Sequence, residues 1–215
     1  MPSARDRSGL EIHGYVGCVF AWRVRLAAVE KGVPYDWIPC DVAEPDPRAH
    51  ARNPHEHSPL LYHAGLSLLE SEVQMAYIDE VFEGRPLAPE TPEARAILRL
   101  LGLELRGVDV HGEPSRPVAR RKLGPVLALL ESVLTTGDLG EGRRLSVRSE
   151  DDGPRDFLHG ALPGMVDFLV WPFLFHSAGR GLIDSKSVPA VTAYLARAAH
   201  RPSFAATRPP WAAAP

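Results

Sequence analysis

The chain has 215 residues, enough for one large domain or two small ones. Hydrophobic residues make up 45% and the formal net charge is −3, which excludes a disordered chain and gives no sign of membrane spans or nucleic-acid binding. The two cysteines, Cys18 and Cys40, are too few for a disulfide framework and lack the spacing of a zinc site, so we expect no metal.

The first half of the chain predicts an α/β unit over residues 10–84. Residues 1–9 are polar with no apolar segment behind them, so we expect a flexible tail, no signal or membrane anchor, and a cytoplasmic protein. Gly32 is placed to end the first helix, and Pro39 puts the second strand at a sheet edge or bulge. Apolar spacing predicts a strand, a helix, a strand, a β-hairpin and a helix over 10–17, 19–31, 35–42, 59–70 and 72–82.

Ser71 is placed to cap the helix at the end of this unit, and Val73, Met75 or Ala76, Ile78 and Phe82 supply its apolar face. A linker rich in proline, glycine and acidic residues follows, "EGRPLAPETPEA".

The second half, residues 91–208, predicts an all-helical domain. Four amphipathic or apolar segments read as helices, over 94–110, 115–134, 164–179 and 188–201. Asp167 stands three residues after Gly164, the spacing at which a carboxylate reaches back to a helix start, so its predicted role is folding. Residues 209–215 are expected to be a second flexible tail.

Cys18 stands where the first strand gives way to the first helix. The unpaired N–H groups and the positive end of the dipole at a helix start favour a thiolate, which could attack a disulfide or a soft electrophile. An isolated cysteine can equally be a small buried hydrophobe, and the residues alone leave both interpretations open. Cys40 has no helix start behind it and is interpreted as structural.

Four motifs resemble the glutathione transferases. "GCVFAWRVRLAAVEKGVPY" resembles their "CPFAxRxxLxLxxKGI", "NPHEHSPLL" their "NPxGKVPxL", and "LSLLESEVQMAYIDEVF" their "LxESxxIxxYLDE". "DFLHGALPGMVDFLVWPFLF" resembles the "FFGGxxxSMxDxxxWP" of the omega class, whose members are of the cysteine type. The resemblance implies a thioredoxin-like N-terminal domain with a mixed sheet, followed by an all-α domain.

The resemblance also implies site residues. Cys18 takes the nucleophile position and Pro59 that of a cis-proline, although Val19 and Ser58 stand where proline and valine are usual. Residues implied to bind the thiol cosubstrate are Phe20, His57, Ser58, Pro59, Glu70 and Ser71. Candidates for a second-substrate pocket between the halves are Tyr15, Trp171, Phe175 and Trp211.

The implied activity is thiol transfer or reductive deglutathionylation through Cys18, with glutathione or another low-molecular-weight thiol as cosubstrate. A first alternative makes glutathione itself the nucleophile, for conjugation or cis-trans isomerisation of a small electrophile, with Cys18 only tuning it. A second alternative is a non-catalytic binding or regulatory protein on the same fold. A small electrophile or a glutathione conjugate is the expected partner, in a homodimer that binds neither nucleic acid nor membrane.

Overall fold

A computed structural model gives the fold. It describes residues 9–41, 53, 57–92, 95–96, 99–100, 115–136, 156–158 and 160–212. Most of the helix predicted over 94–110 lies outside these ranges. Near its predicted start, Thr91 and Arg95 are described, and the Arg95 N–H donates to the Thr91 carbonyl at 3.1 Å.

The first half is built on a four-stranded mixed sheet with the strand order β2-β1-β3-β4. β1 pairs parallel with β2 and antiparallel with β3, and β3 pairs antiparallel with β4. Pro39 lies on the edge strand β2, as the sequence predicts, where a missing N–H costs no ladder bond on the outer side. The strands are β1 (Glu11–Tyr15), β2 (Asp36–Cys40), β3 (Leu60–His63) and β4 (Leu66–Leu68).

The helix α1 (Val19–Lys31) joins the two halves of the protein. It ends at Gly32, which adopts the left-handed conformation with φ 77° and donates its N–H back to the last turn, as predicted. α1 packs against the second helix of the first half and also against two helices of the second half. Its sequence therefore shows little amphipathicity, and even the charged Arg23 is buried.

The helix α2 (Ser71–Val81) differs from its prediction in two details. Its first intrahelical bond runs from the Gln74 N–H to the Glu70 carbonyl, so Glu70 is the N-cap and Ser71 already lies in the helix. Val73, assigned to the apolar face, is exposed, whereas Gln74 is fully buried. The amide of Gln74 is tolerated there because it hydrogen-bonds two backbone carbonyls, a tertiary effect that periodicity does not register.

The second half is helical. Its described helices are α3 (Arg116–Thr136), α4 (Met165–Gly179), α5 (Pro189–Ala199) and α6 (Pro202–Thr207), of which α6 has only six residues and was not predicted. Twelve of the 15 residues of α4 are buried, so it forms the centre of this half. Within the described ranges, no helix combines the length and apolarity needed to cross a bilayer.

Asp167 fastens the start of α4, as its spacing predicts. Its fully buried carboxylate accepts the N–H of Gly164 and of Leu158, both at 2.8 Å, and the hydroxyl of Tyr194 on α5 at 2.7 Å. Gly164 has no side chain to complete the reciprocal half of a capping box. Burial, reinforced by the Asp167 charge, raises the pKa of Tyr194 well above its usual value, which keeps the phenol a donor.

Residues 209–212 do not form the flexible tail that the sequence predicts. Pro209 and Ala212 are buried, and the Ala212 N–H donates to the Pro209 carbonyl at 3.0 Å, which closes a turn. Trp211 in this turn packs against Trp22 of α1. The composition, proline and alanine apart from one tryptophan, suggests a tail, but the indole supplies enough apolar surface to fix the segment.

Glu30 links the two halves at the far end of α1. Its carboxylate, only 5% exposed, accepts from Arg85 at 3.0 Å, from Arg201 at 2.8 Å and from Ser203 at 2.6 Å. Burial alone would raise the pKa of Glu30, but the hydrogen bonds from Arg201, Ser203 and Arg85, with the charge of Arg201, hold it below its usual value.

We expect Glu30→Gln to lower the free energy of unfolding at pH 7 by about 1–3 kcal/mol, because the two guanidinium groups lose their anion but remain partly hydrated. A carboxylate whose pKa is lowered in the folded state stabilises the fold fully above its unfolded pKa of about 4.3. This stabilisation is lost as the pH falls through its pKa in the folded state. Denaturant unfolding at pH 7 and pH 3.5 should therefore show a smaller difference between wild type and variant in acid. An equal difference at both pH values would contradict the assignment.

Candidate functional site

One cleft brings together all six residues that the sequence assigns to the thiol site. It has a volume of about 270 Å³, slightly below the usual range for ligand pockets, and opens beside the start of α2. Two further residues line it, Arg23 and Glu72, which were not predicted from the sequence to belong to the site. The lining residues are Phe20, Arg23, His57, Ser58, Pro59, Glu70, Ser71 and Glu72.

The floor of the cleft is the loop that enters β3. The Ser58–Pro59 peptide bond is cis, as the resemblance implies. Gln74 holds this loop from below, because its Nε2 donates to the carbonyl oxygens of Pro59 and Leu68, both at 2.8 Å. The Ser58 hydroxyl, where valine is usual, accepts the Tyr15 N–H at 3.1 Å and so ties the loop to the end of β1.

Cys18 lies beside this loop as the N-cap residue of α1. Its thiol donates toward the carbonyl oxygen of Ser58, with 3.7 Å between sulfur and oxygen. A thiol S–H can donate to a carbonyl oxygen at this distance, and a carbonyl oxygen offers no proton in return. The side chain makes no capping bond to the first turn of α1, which differs from the expected thiolate held by helix N–H groups. The geometry therefore presents Cys18 as a hydrogen-bond donor.

The opposite wall is the start of α2. Glu70 enters the helix with φ 66° and ψ 111°, a left-handed backbone that non-glycine residues adopt at a cost of about 1–3 kcal/mol and that is common at functional sites. Its carboxylate lines the cleft together with Ser71. The first N–H groups of any helix have no acceptor within the helix, so this wall can bind a carboxylate while Glu70 accepts from an ammonium group.

The charges in the cleft are mixed. Glu70 and Glu72 are acidic, and Arg23 is a cation whose guanidinium lies 4.9 Å from the centre of the Phe20 ring. Arg23 is buried although its side chain is charged. The sequence did contain a sign that Arg23 belongs to the site, because the first-helix motif of the family also has an arginine five residues after the cysteine. Such a cleft suits a zwitterionic ligand better than a simple anion.

Two of the four predicted pocket residues lie elsewhere. Trp171 is fully buried and packs against Phe157, Phe168 and Tyr194, so it offers no surface to a ligand. Phe175 is buried between Trp22 and Phe204. Both belong to the core around α4, because this helix is apolar on all sides and periodicity cannot say which ring reaches a surface.

The other two lie near Cys18. Tyr15 ends β1 and is half-buried, and Trp211 contacts the backbone of Gly17, one residue before the cysteine. Among the described residues, no group of three or more histidine, cysteine or acidic side chains is arranged to hold a metal ion.

Comparison with known proteins now decides the family. A sequence model described as the glutathione S-transferase N-terminal domain matches residues 12–86. Glutathione S-transferase U1 of Arabidopsis thaliana is 30% identical over 66% of this chain and 67% of its own length. Glutathione S-transferase U4 of the same plant is 30% identical over 83% of this chain and 75% of its own. The chain belongs to the glutathione S-transferase family.

Solved glutathione S-transferases share its fold. A Tau class glutathione S-transferase from mango has a TM-score of 0.73 at 22% identity and covers 95% of this chain and 94% of its own. Rice GST1, solved in complex with glutathione, has a TM-score of 0.74 at 23% identity and covers 94% and 91%. These four relatives are plant transferases, one described as Tau class, and none is described as omega class. They give no support to the omega subtype or to the non-catalytic alternative.

Proposed function

We propose that this glutathione S-transferase conjugates glutathione to a small electrophile, with the glutathione sulfur as nucleophile and Cys18 as a hydrogen-bond donor to it. The observation that carries the proposal is the thiol of Cys18 donating to the Ser58 carbonyl at the edge of the cleft. A group already poised as a donor suits a role toward an anionic sulfur. The transferase names of the relatives favour the same activity.

The donor set of the cleft fits glutathione. Glu70 would accept from the ammonium of the γ-glutamyl group, and Ser71 with the α2 N–H groups would bind its carboxylate. The Ser58 backbone beside the cis bond would pair with the cysteinyl amide, as an added strand does. His57 at the outer rim would contact the glycyl carboxylate. These assignments place the glutathione sulfur beside Cys18.

Bound glutathione supplies the nucleophilic thiolate. The Cys18 S–H would turn from the Ser58 carbonyl to that sulfur, where its hydrogen bond favours the thiolate over the thiol and so raises the fraction ready to react. The glutathione proton leaves to solvent, a carbon–sulfur bond forms to the electrophile, and the leaving group or a new carbanion takes up the displaced electron pair. Cys18 keeps its own proton throughout.

Thiol transfer through Cys18 itself is the second candidate. The sulfur is half-buried beside the cleft rather than sealed in the core, which is the access that a mixed disulfide needs. In that cycle the Cys18 thiolate attacks a glutathionyl disulfide, forms a mixed disulfide with glutathione and releases the other half as a thiolate. A second glutathione thiolate attacks the mixed disulfide, which releases glutathione disulfide and regenerates the Cys18 thiolate. The contact between the Cys18 sulfur and the Ser58 carbonyl, which suits a donor, favours conjugation over this route.

Two assays separate the candidates. Purified protein is tested for conjugation of glutathione to 1-chloro-2,4-dinitrobenzene and for glutathione-dependent reduction of hydroxyethyl disulfide. We expect the first activity to be dominant, and no Cys18 adduct in the intact mass after incubation with glutathione disulfide. A stable glutathionyl adduct on Cys18 with disulfide reduction dominant would favour thiol transfer. Absence of both activities, and of glutathione binding, would reject the proposal or indicate another low-molecular-weight thiol.

The remaining sequence predictions stay proposals. A homodimer is expected from the family, and size-exclusion chromatography with light scattering would measure it. No partner beyond the thiol and the electrophile is invoked, and neither nucleic acid nor membrane enters the proposed reaction.

A further inference from the structure

Trp211 ties the turn after α6 to the loop that carries Cys18. Its indole Nε1–H donates to the carbonyl oxygen of Gly17, with 3.0 Å between the two atoms. Gly17 directly precedes Cys18 in the connection from β1 to α1. A Cβ atom at position 17 would lie 3.3 Å from the same indole nitrogen, so the close approach depends on glycine.

The Trp211 ring is itself held on two sides. It packs edge-on against Trp22 of α1, with ring centroids 5.6 Å apart, and against His176 of α4 at 5.0 Å. The following residue, Ala212, is buried and closes the turn onto Pro209. The hydrogen bond to Gly17 therefore comes from a fixed ring.

Trp22 makes a reciprocal bond in the other direction. Its Nε1–H donates to the Thr207 hydroxyl of α6 at 2.9 Å. Two indole hydrogen bonds thus join α1 and its preceding loop to α6 and its following turn. The Trp22 bond lies in the core, whereas the Trp211 bond ends on the peptide group that leads into Cys18.

We propose that Trp211 is a positioning residue for Cys18: its bond to the Gly17 carbonyl fixes the peptide that sets where the thiol points. The N–H of this peptide also donates to the Tyr15 carbonyl at 3.0 Å, so the Trp211 bond supplies the second anchor, on the carbonyl side. Without it the peptide is held at one end and can tilt, which shifts the sulfur from its place beside the Ser58 carbonyl. This role rests on the proposed function, since it affects turnover only if Cys18 faces the bound thiol. It replaces the predicted role of Trp211 as a wall of the substrate pocket.

The kinetic test uses Trp211→Phe, which keeps an aromatic ring and removes the donor, with Thr207→Val as the matched loss of the other indole bond. We expect Trp211→Phe to lower kcat for conjugation about fivefold, the effect of losing one ordinary hydrogen bond. The KM for glutathione should change less than about twofold, because the γ-glutamyl contacts do not involve this loop. Thr207→Val should lower the melting temperature while leaving kcat near that of wild type.

The second readout does not depend on catalysis. Cys18 and Cys40 are half-buried thiols outside any disulfide, so the ratio of their alkylation rates by iodoacetamide, followed by peptide mass spectrometry, reports the local setting of Cys18. Trp211→Phe should change this ratio at least roughly threefold, whereas Thr207→Val should not. General loosening of the fold would affect both cysteines.

Gly17→Ala provides an independent variant, because its Cβ would crowd the indole nitrogen without altering the core. Gly17→Ala should shift the ratio of the Cys18 and Cys40 alkylation rates as Trp211→Phe does. If Trp211→Phe fails to fold, Gly17→Ala alone tests whether Trp211 positions Cys18. A folded variant with both kcat and ratio unchanged would overturn the positioning role. If wild type itself shows no conjugation, the proposed function fails, and the alkylation ratio still decides whether Trp211 positions Cys18.

Discussion

Replacing Cys18 by alanine is expected to lower kcat/KM for glutathione conjugation by roughly ten- to a hundredfold, while Cys18→Ser keeps most of the activity. Removing one preorganised donor to a developing anion lowers kcat of enzymes by about a hundred- to a thousandfold, and the expected loss here is smaller because a thiol S–H is a weak donor. Serine supplies a hydroxyl at the same position, and a hydroxyl donates to a thiolate at least as well as a thiol does. Steady-state assays at saturating electrophile and varied glutathione measure both variants.

The same pair of variants separates the two chemistries. If Cys18 were the nucleophile of a thiol-transfer cycle, serine would be as inactive as alanine, since a hydroxyl cannot form the mixed disulfide. Full activity of Cys18→Ala would show that the cysteine does not act on the bound thiol at all. The melting temperature of both variants should stay close to that of wild type, which serves as the control for folding.

Asp167→Ala is expected to have the largest effect on stability, a loss of about 3–6 kcal/mol in the free energy of unfolding. The substitution leaves two backbone N–H groups and the Tyr194 hydroxyl without their buried acceptor, and each orphaned group costs about 1–3 kcal/mol. Asp167→Asn retains one acceptor oxygen and should lose less. Urea unfolding followed by circular dichroism measures the difference.

Asp184 supplies the matched control. Its carboxylate also accepts two hydrogen bonds, from Ser187 and from the Lys186 N–H, but it lies at the surface, where water can replace the acceptor. We expect Asp184→Ala to unfold close to wild type. A similar loss for the two aspartates would mean that burial does not determine the cost, and the assigned role of Asp167 would be wrong.

The order of the helices and strands and most residues of the cleft could be predicted from the sequence. Cys18 at a helix start and the hairpin before Glu70 could be predicted because each depends on neighbouring residues, through a cap or an alternating pattern. The cis bond before Pro59 was implied by the resemblance alone. Proximity of Cys18 to Ser58 followed from the resemblance, since 40 positions separate them in the chain.

What the sequence missed depends on tertiary contacts. Gln74 is buried among apolar residues because its amide hydrogen-bonds the loop below the cleft. Trp211 is ordered, although the segment around it was predicted to be a tail, because its indole hydrogen-bonds the Gly17 carbonyl. Trp171 fails as a pocket residue for the converse reason, since α4 is surrounded by protein on every side. Local patterns record which residues are apolar, but they do not record which neighbour each one meets.

Calorimetric titration of glutathione into the purified protein tests the central claim most directly, with Glu70→Gln beside wild type and Glu80→Gln as the control on the exposed side of the same helix. Wild type and the Glu80 variant should bind alike, whereas Glu70→Gln should bind about ten- to a hundredfold more weakly, because a charge-assisted hydrogen bond contributes about 1.5–3 kcal/mol. Equal binding by all three proteins would contradict the assigned position of the γ-glutamyl group, and no binding by wild type would contradict the glutathione site itself.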